Sequence, residues 1–174
     1  MIKTTLFRLH KWLGLISGAV VMIIALTGLI YLFAGDVAPA MHPHRYFMDR
    51  PVTAQQTPLP MSRLIQTAKS VLKEGEKVTR LDIFPAPNRT WIFRVQQVNK
   101  EAVFFWNHYL SYKRVYINPY TGKVVEVENS KTDFFAVGLQ LHRNLLMGDG
   151  IGKLIVNVST VCFMIVLISG IFLW

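Results

Sequence analysis

The side chains best able to do chemistry in this sequence are five histidines: His10, His42, His44, His108 and His142. A neutral imidazole offers one ring nitrogen to a metal, and the hydrogen bond made by the other nitrogen decides which one that is. His10 stands just before a stretch without a charged residue, Trp12 to Gly35, and His142 stands twelve residues ahead of another, Leu154 to Trp174. A histidine at the end of an apolar span is a functional candidate by default. Arg8 and Lys11 flank His10 and Arg143 follows His142, so each imidazole has cationic groups able to pair with carboxylates. His42 and His44 form an HxH pair that could reach one metal, although two ligands alone make a poor site. His108, beside Trp106 and Tyr109, reads as an ordinary loop or strand residue. Neither a Ser-His-Asp or Cys-His pattern nor a phosphate-cradling glycine loop is recognisable. Glu74, Glu76, Glu101, Glu126 and Glu128 read as solvated surface charges, and Asp36 as an interface anchor.

Two long helices must position these histidines. Crossing the hydrocarbon core takes about 20 apolar residues, and both uncharged stretches are that long. The first follows a basic start (Lys3, Arg8, Lys11) and precedes Ala38-Pro39-Ala40, which resembles a signal-peptidase site. A signal core is shorter, about 7–15 residues, so a retained anchor is the better reading. The division expected is 1–11 as a cytoplasmic N-terminus, 12–35 as the first span, 36–132 as an extracytoplasmic domain, 133–153 as an interfacial helix and linker, and 154–174 as the second span. The excess of positive charge ahead of the first span puts the N-terminus in the cytoplasm, with Trp12 and Trp174 both at that interface. Arg143 and Lys153, on the outer side, weaken that argument. Gly14 and Gly18 form a GxxxG, which either lets helices pack closely or is a chance pair in a glycine-tolerant span. Because Trp174 is apolar and no basic flank follows it, the sequence is expected either to stop short of the natural C-terminus or to be the first part of a longer multi-span protein. The net charge of +9 is scattered without a dense block, which argues against nucleic acid and for anionic lipid or an anionic small molecule as partner. Cys162, the one cysteine, lies in the second span, so no internal disulfide braces the middle domain.

The middle domain reads as α+β. Met61, Leu64, Ile65, Ala68, Val71 and Leu72 fall at helical spacing between Pro60 and Gly75. Strand character follows in 78–84, 90–98, 102–106, 113–117 and 123–127, with Asn118-Pro119-Tyr120-Thr121-Gly122 as a strong turn. One helix and an antiparallel sheet of four or five strands are expected. Asp133 can cap a further short helix that is apolar nearly all round and is expected to lie at the membrane surface.

Three stretches resemble the PepSY-associated transmembrane family. They are Arg8-Leu9-His10-Lys11-Trp12-Leu13-Gly14-Leu15 with Leu26-Thr27-Gly28-Leu29; the hairpin Val115 to Val124; and Leu141-His142-Arg143-Asn144-Leu145-Leu146 followed by Gly152 and Ser169-Gly170-Ile171-Phe172-Leu173-Trp174. Their order and spacing carry the resemblance over nearly the whole chain. It implies two transmembrane helices flanking a PepSY-like domain in a bacterial inner membrane, with the domain in the periplasm. Some members resemble ferric-siderophore reductases that hold b-type haem on membrane histidines, whereas PepSY domains have also been associated with restraining peptidases.

The resemblance implies haem b with His10 and His142 as axial ligands and Arg8 and Arg143 near the propionates. A b-type haem held by two imidazoles needs one on each face of the iron. No CxxCH occurs, so covalent c-type attachment is excluded. His10 and His142 lie at opposite membrane faces, about 30 Å apart, so one haem cannot bridge them. His142 could pair with His42 or His44; a partner for His10 must come from another segment or a second copy. The bland alternative makes His10 an interfacial residue that keeps its polar tip in water. Three functions stay open: a b-haem electron-transfer protein reducing a ferric siderophore or other ferric chelate, a membrane-tethered module that binds a peptidase or other partner through its sheet, and a scaffold subunit in a homodimer or larger complex.

Overall fold

The computed structural model describes residues 2–48 and 56–173. Helix α1 (Ile2–Leu32) is continued past a turn at Phe33 by α2 (Ala34–Met41) and the single turn α3 (Pro43–Tyr46). Charge does not stop a helix, so α1 begins well before Trp12 and takes in Lys3, Arg8 and Lys11. Helix α4 (Met61–Ser70) precedes strands β1 (Lys77–Asp82) and β2 (Trp91–Val98); then come the short α5 (Phe105–His108), β3 (Tyr109–Ile117), β4 (Val124–Asn129), α6 (Phe134–Asn144) and α7 (Ile151–Leu173). The chain is α+β, with two candidate transmembrane helices at its ends flanking a sheet region.

The four strands form an antiparallel meander in the order β1-β2-β3-β4. The β3–β4 turn closes because Asn118 Oδ1 accepts from the backbone N–H groups of Tyr120 (2.9 Å) and Thr121 (3.1 Å), and Gly122 takes the left-handed φ of 71° the turn requires. One face of the sheet packs Phe93, Val95, Val115 and Ile117 against Leu64 and Ala68 of α4. The opposite face meets α2, α3 and α6 through Ile92, Tyr116, Ala38, Tyr46 and Phe135, with Tyr109, Tyr112, Phe105 and Ala136 beside them. Residues 102–106, expected as a strand, are not one. Phe105 is fully buried, and the backbone here bonds to the turn between α6 and α7, Phe105 N–H donating to the Leu146 carbonyl, rather than to a strand. It makes only a bridge from Phe104 to Met147 before α5 begins.

The long helices run antiparallel. Ideal Cβ atoms at Gly14 and Gly18 would lie 3.3 Å from Val166 and 3.8 Å from Phe163 of α7, so the GxxxG is the packing surface between the two helices. Only 11% of the most apolar window of α1 and 6% of that of α7 is buried within the chain, which rules out core helices of a water-soluble fold. Helix α6 does not lie across the end of α1 but runs beside it, Phe135 packing near Tyr31, Ala34 and Ala38 and His142 reaching Ile24 and Gly28. It is apolar nearly all round because it is covered twice: His142 faces α1, while Ala136, Gln140 and Asn144 are buried towards the sheet side. Trp174, expected at an interface, lies outside the described residues.

Candidate functional site: two oriented imidazoles

His10 sits on the α1–α7 seam, one α1 turn ahead of Gly14. Its Nδ1 is 2.8 Å from the Ser169 hydroxyl. With that hydroxyl donating to the carbonyl of Val166 at 3.0 Å, its oxygen is left to accept from His10, the arrangement in which Nδ1 carries the proton. Gly170 leaves room for the ring, an ideal Cβ there lying 3.6 Å from Cε1.

His142 reaches the same state by another route. Its Nδ1 is 2.7 Å from the carbonyl oxygen of Ile24, which can only accept. Nδ1 is therefore the donor again. Why Ile24 and Gly28 receive this ring follows from α1: a side chain at Gly28 would fill the space, its Cβ coming within 2.8 Å of Cε1. Thr27 keeps its hydroxyl in place with a 2.7 Å bond to the Ile23 carbonyl. In the neutral form of both histidines, Nε2 bears the free lone pair, and neither Nε2 has a hydrogen-bond partner among the described residues. A bond from one ring nitrogen to a fixed acceptor holds the imidazole plane and leaves the other nitrogen able to accept a proton or a ligand.

His10 and the α1 residues that meet His142 are 14 to 18 positions apart on one helix, about 21–27 Å at 1.5 Å per residue. The imidazoles thus occupy opposite ends of the helix pair. Arg8 and Arg143 are exposed and enter no ion pair among the described residues. His42 and His44 are not brought to His142. They lie at the far end of α2 and in α3, ring centroids 6.2 Å apart, with His44 Nε2 2.9 Å from Glu126. Among the described residues no three His, Cys, Asp or Glu side chains cluster as a metal site. His108 is buried, its Nδ1 3.3 Å from the Ala102 carbonyl, and plays the ordinary part expected of it.

Two carboxylates read as solvated are buried. Glu128 takes donors from Tyr116 (2.7 Å), Ser130 (2.9 Å), Arg45 (3.2 Å) and Arg114 (3.3 Å). Tyr46 joins through the Tyr116 hydroxyl at 3.2 Å, and Asp133, the N-cap of α6, lies 3.5 Å from Arg114. Burial, with the Glu128 charge next, drives the Tyr116 phenol far above its usual range, so it stays a donor. Glu76 lies against Lys113 Nζ at 2.6 Å. Burial works against its charge, but Lys113 and the Lys73 N–H outweigh that and hold its carboxyl below the ordinary 4.5.

Ser169 and Gly28 had been visible only as parts of quoted motifs. A small residue that meets a histidine of another helix has no signal of its own until the helix pairing is known. No curated protein matches the chain. The family model described as "PepSY-associated TM region" matches residues 7–174, a stretch that contains both oriented imidazoles and both long helices. The chain is a membrane protein of the PepSY-associated TM region family.

Proposed function

We propose that the chain is a b-haem electron-transfer protein of a bacterial inner membrane, with its N-terminus in the cytoplasm and its sheet domain in the periplasm, where it reduces a ferric siderophore or another ferric chelate. The observation that carries this reading is the shared state of His10 and His142: Nδ1 committed as a donor, Nε2 left as a base. The donor chemistry fits haem iron, one imidazole to each of two haems, because the span of about 21–27 Å is too great for a single one. Bound haem would supply one-electron chemistry. The chain's own residues would do the rest: Ser169 and the Ile24 carbonyl would orient the ligands, Gly28 and Gly170 would leave room for the rings, and Arg8, Lys11 and Arg143 would pair with propionates. A second axial ligand for either iron would come from a second copy of the chain, a further segment or solvent.

The test is the visible spectrum of the purified protein grown with adequate haem. A Soret band with split α and β bands on reduction is expected. His142→Ala should lower haem content by one per chain, and unchanged content rejects that ligand.

A second reading has its own observation. A cavity of about 660 Å³ opens beside the free edge of β4, lined by Val37, His42, Arg45, Glu126, Glu128 and Phe134 among others. It supports a membrane-tethered module that docks a protein partner along its sheet. A colourless preparation under the same conditions favours this reading over the first.

A further inference from the structure

The sheet domain carries an aromatic pair that its own fold leaves more than half exposed, Trp106 touching the buried Phe105 only edge-on. Where the loop enters α5, Phe105 is fully buried against Tyr109 and Tyr112, whereas its neighbours Phe104 and Trp106 are 61% and 53% exposed. The buried ring fixes the loop, so the outer two are held rather than mobile. Large aromatic side chains bury about 150–250 Å² each when covered, and leaving two side by side in water is unfavourable.

The place of this loop says what covers it. Its backbone is bonded to the turn between α6 and α7: Phe105 N–H donates to the Leu146 carbonyl at 2.8 Å, Gly148 N–H donates to Val103, and Phe104 bridges to Met147. Ile151 opens the transmembrane helix α7 only a few residues on, and the first lipid-facing side chains of that helix, Ile151 and Leu154, are 50% and 62% exposed. The aromatic pair is therefore continuous with the lipid-facing surface of the span. A cationic group touches it, Lys131 Nζ donating to the Trp106 carbonyl at 2.9 Å, and the adjoining α6–α7 segment carries the exposed Arg143 and, paired with Asp149 at 3.2 Å, Lys153. Tryptophan is favoured at the level of lipid headgroups, and lysine and arginine reach phosphate from there.

We propose that Phe104 and Trp106 insert into the headgroup–acyl boundary of the leaflet on the domain's side, giving the sheet domain a membrane attachment of its own besides the two helices. The partner is the phospholipid surface. The attachment fixes the height of the domain above the bilayer and stiffens the turn that holds the foot of α6, where His142 sits. The inference rests on the membrane-spanning helices and not on haem.

Full-length protein with Trp106 as its only tryptophan (Trp12→Phe, Trp91→Phe, Trp174→Phe) would be reconstituted in phosphatidylethanolamine–phosphatidylglycerol vesicles with and without brominated acyl chains. Insertion predicts that Trp106 emission falls by about half with bromolipid, since an interfacial residue sits about 5–10 Å into the boundary, and that aqueous iodide quenches it poorly. Strong iodide quenching with no bromolipid effect overturns the proposal. So does shielding from both, which would mean a protein partner or second copy on the patch. Should the triple variant fail to fold, Phe104→Cys in a Cys162→Ala background with a nitroxide label gives the same decision. Greater relaxation by oxygen than by a water-soluble nickel chelate supports insertion, and the reverse order overturns it.

Discussion

At the scale of single residues, the informative fact about His10 and His142 is which nitrogen is left over. A serine hydroxyl already committed to a carbonyl, and a carbonyl itself, impose the same tautomer on two histidines at opposite ends of a helix pair. Outer-sphere partners of this kind are worth about 10–100-fold in metal affinity. On the proposed haem reading, Ser169→Ala should weaken haem binding at His10 by about that factor without abolishing it, as read by haem titration of the apo-protein, and should leave binding at His142 unchanged. Equal affinity in the variant would show that Ser169 does not position the ring. Glu128 poses a different residue-scale question. It has two arginines and two hydroxyls as donors and is 6% exposed. Removing one member of a buried charge set strands the others, so Glu128→Ala should destabilise the protein by about 3–5 kcal/mol in thermal or chemical unfolding. A change below about 1 kcal/mol, the surface-pair range, would mean that solvent reaches the cluster.

At the scale of elements, α6 is the piece that connects the sheet domain to the membrane helices. Its start is fixed by Asp133, whose Oδ1 accepts from Ala136 N–H at 2.8 Å, and its end by Leu145 and Leu146 in left-handed conformations with φ of 54° and 57°. Loss of the cap in Asp133→Ala should cost about 1 kcal/mol from the capping bond, with a further loss from its contact to Arg114. The close approach of α6 to α1 depends on Gly28. Gly28→Val should destabilise by about 1–3 kcal/mol through overpacking, since the new side chain meets the His142 ring. Adding His142→Ala should recover part of that loss, and a double variant that is simply additive would refute the contact. The same glycine logic operates between α1 and α7 at Gly14 and Gly18, where the small residues admit Val166 and Phe163.

At the scale of the whole molecule, a four-stranded sheet is held between α4 on one face and the α2–α3–α6 layer on the other, and that second layer is continuous with the membrane helices. The polar set around Glu128 lies at this junction, tying α3 (Arg45, Tyr46) to β3 and β4, and Asp133 of α6 to Arg114. Movement of the domain relative to the helices would have to break it. Acid should act at Glu76. Its folded-state carboxyl lies below the ordinary 4.5, so its stabilisation is complete above that pH and is lost as pH falls through the lowered value. The Tm difference between the protein and Glu76→Gln should be constant near neutrality and shrink below about pH 4.5, the range in which the unfolded carboxylate takes up its proton. A difference that persists unchanged at pH 3 would show that the Lys113 pair is not its source.

What the sequence determined by itself is whatever depends on neighbours along the chain. Two uncharged stretches of span length, the Met61–Leu72 periodicity, the Asn118–Gly122 turn and the Asp133 cap all declare themselves through local composition, and so did the family, through motif order. Tertiary structure alone decided the rest. Residues 102–106 have strand character, but folding bonds their backbone to the α6–α7 turn, and a strand exists only if another strand lends its edge. Glu76 and Glu128 have the composition of surface charges, and only the pairing of β3 with β4 and the packing of the helical layer enclose them. His10 and His142 could be named as candidates from their places beside the spans. The atoms that orient them, the Ser169 hydroxyl and the Ile24 carbonyl, are 159 and 118 residues away along the chain. A tautomer is set by whichever group folding brings within 3 Å, and sequence spacing carries no record of that distance.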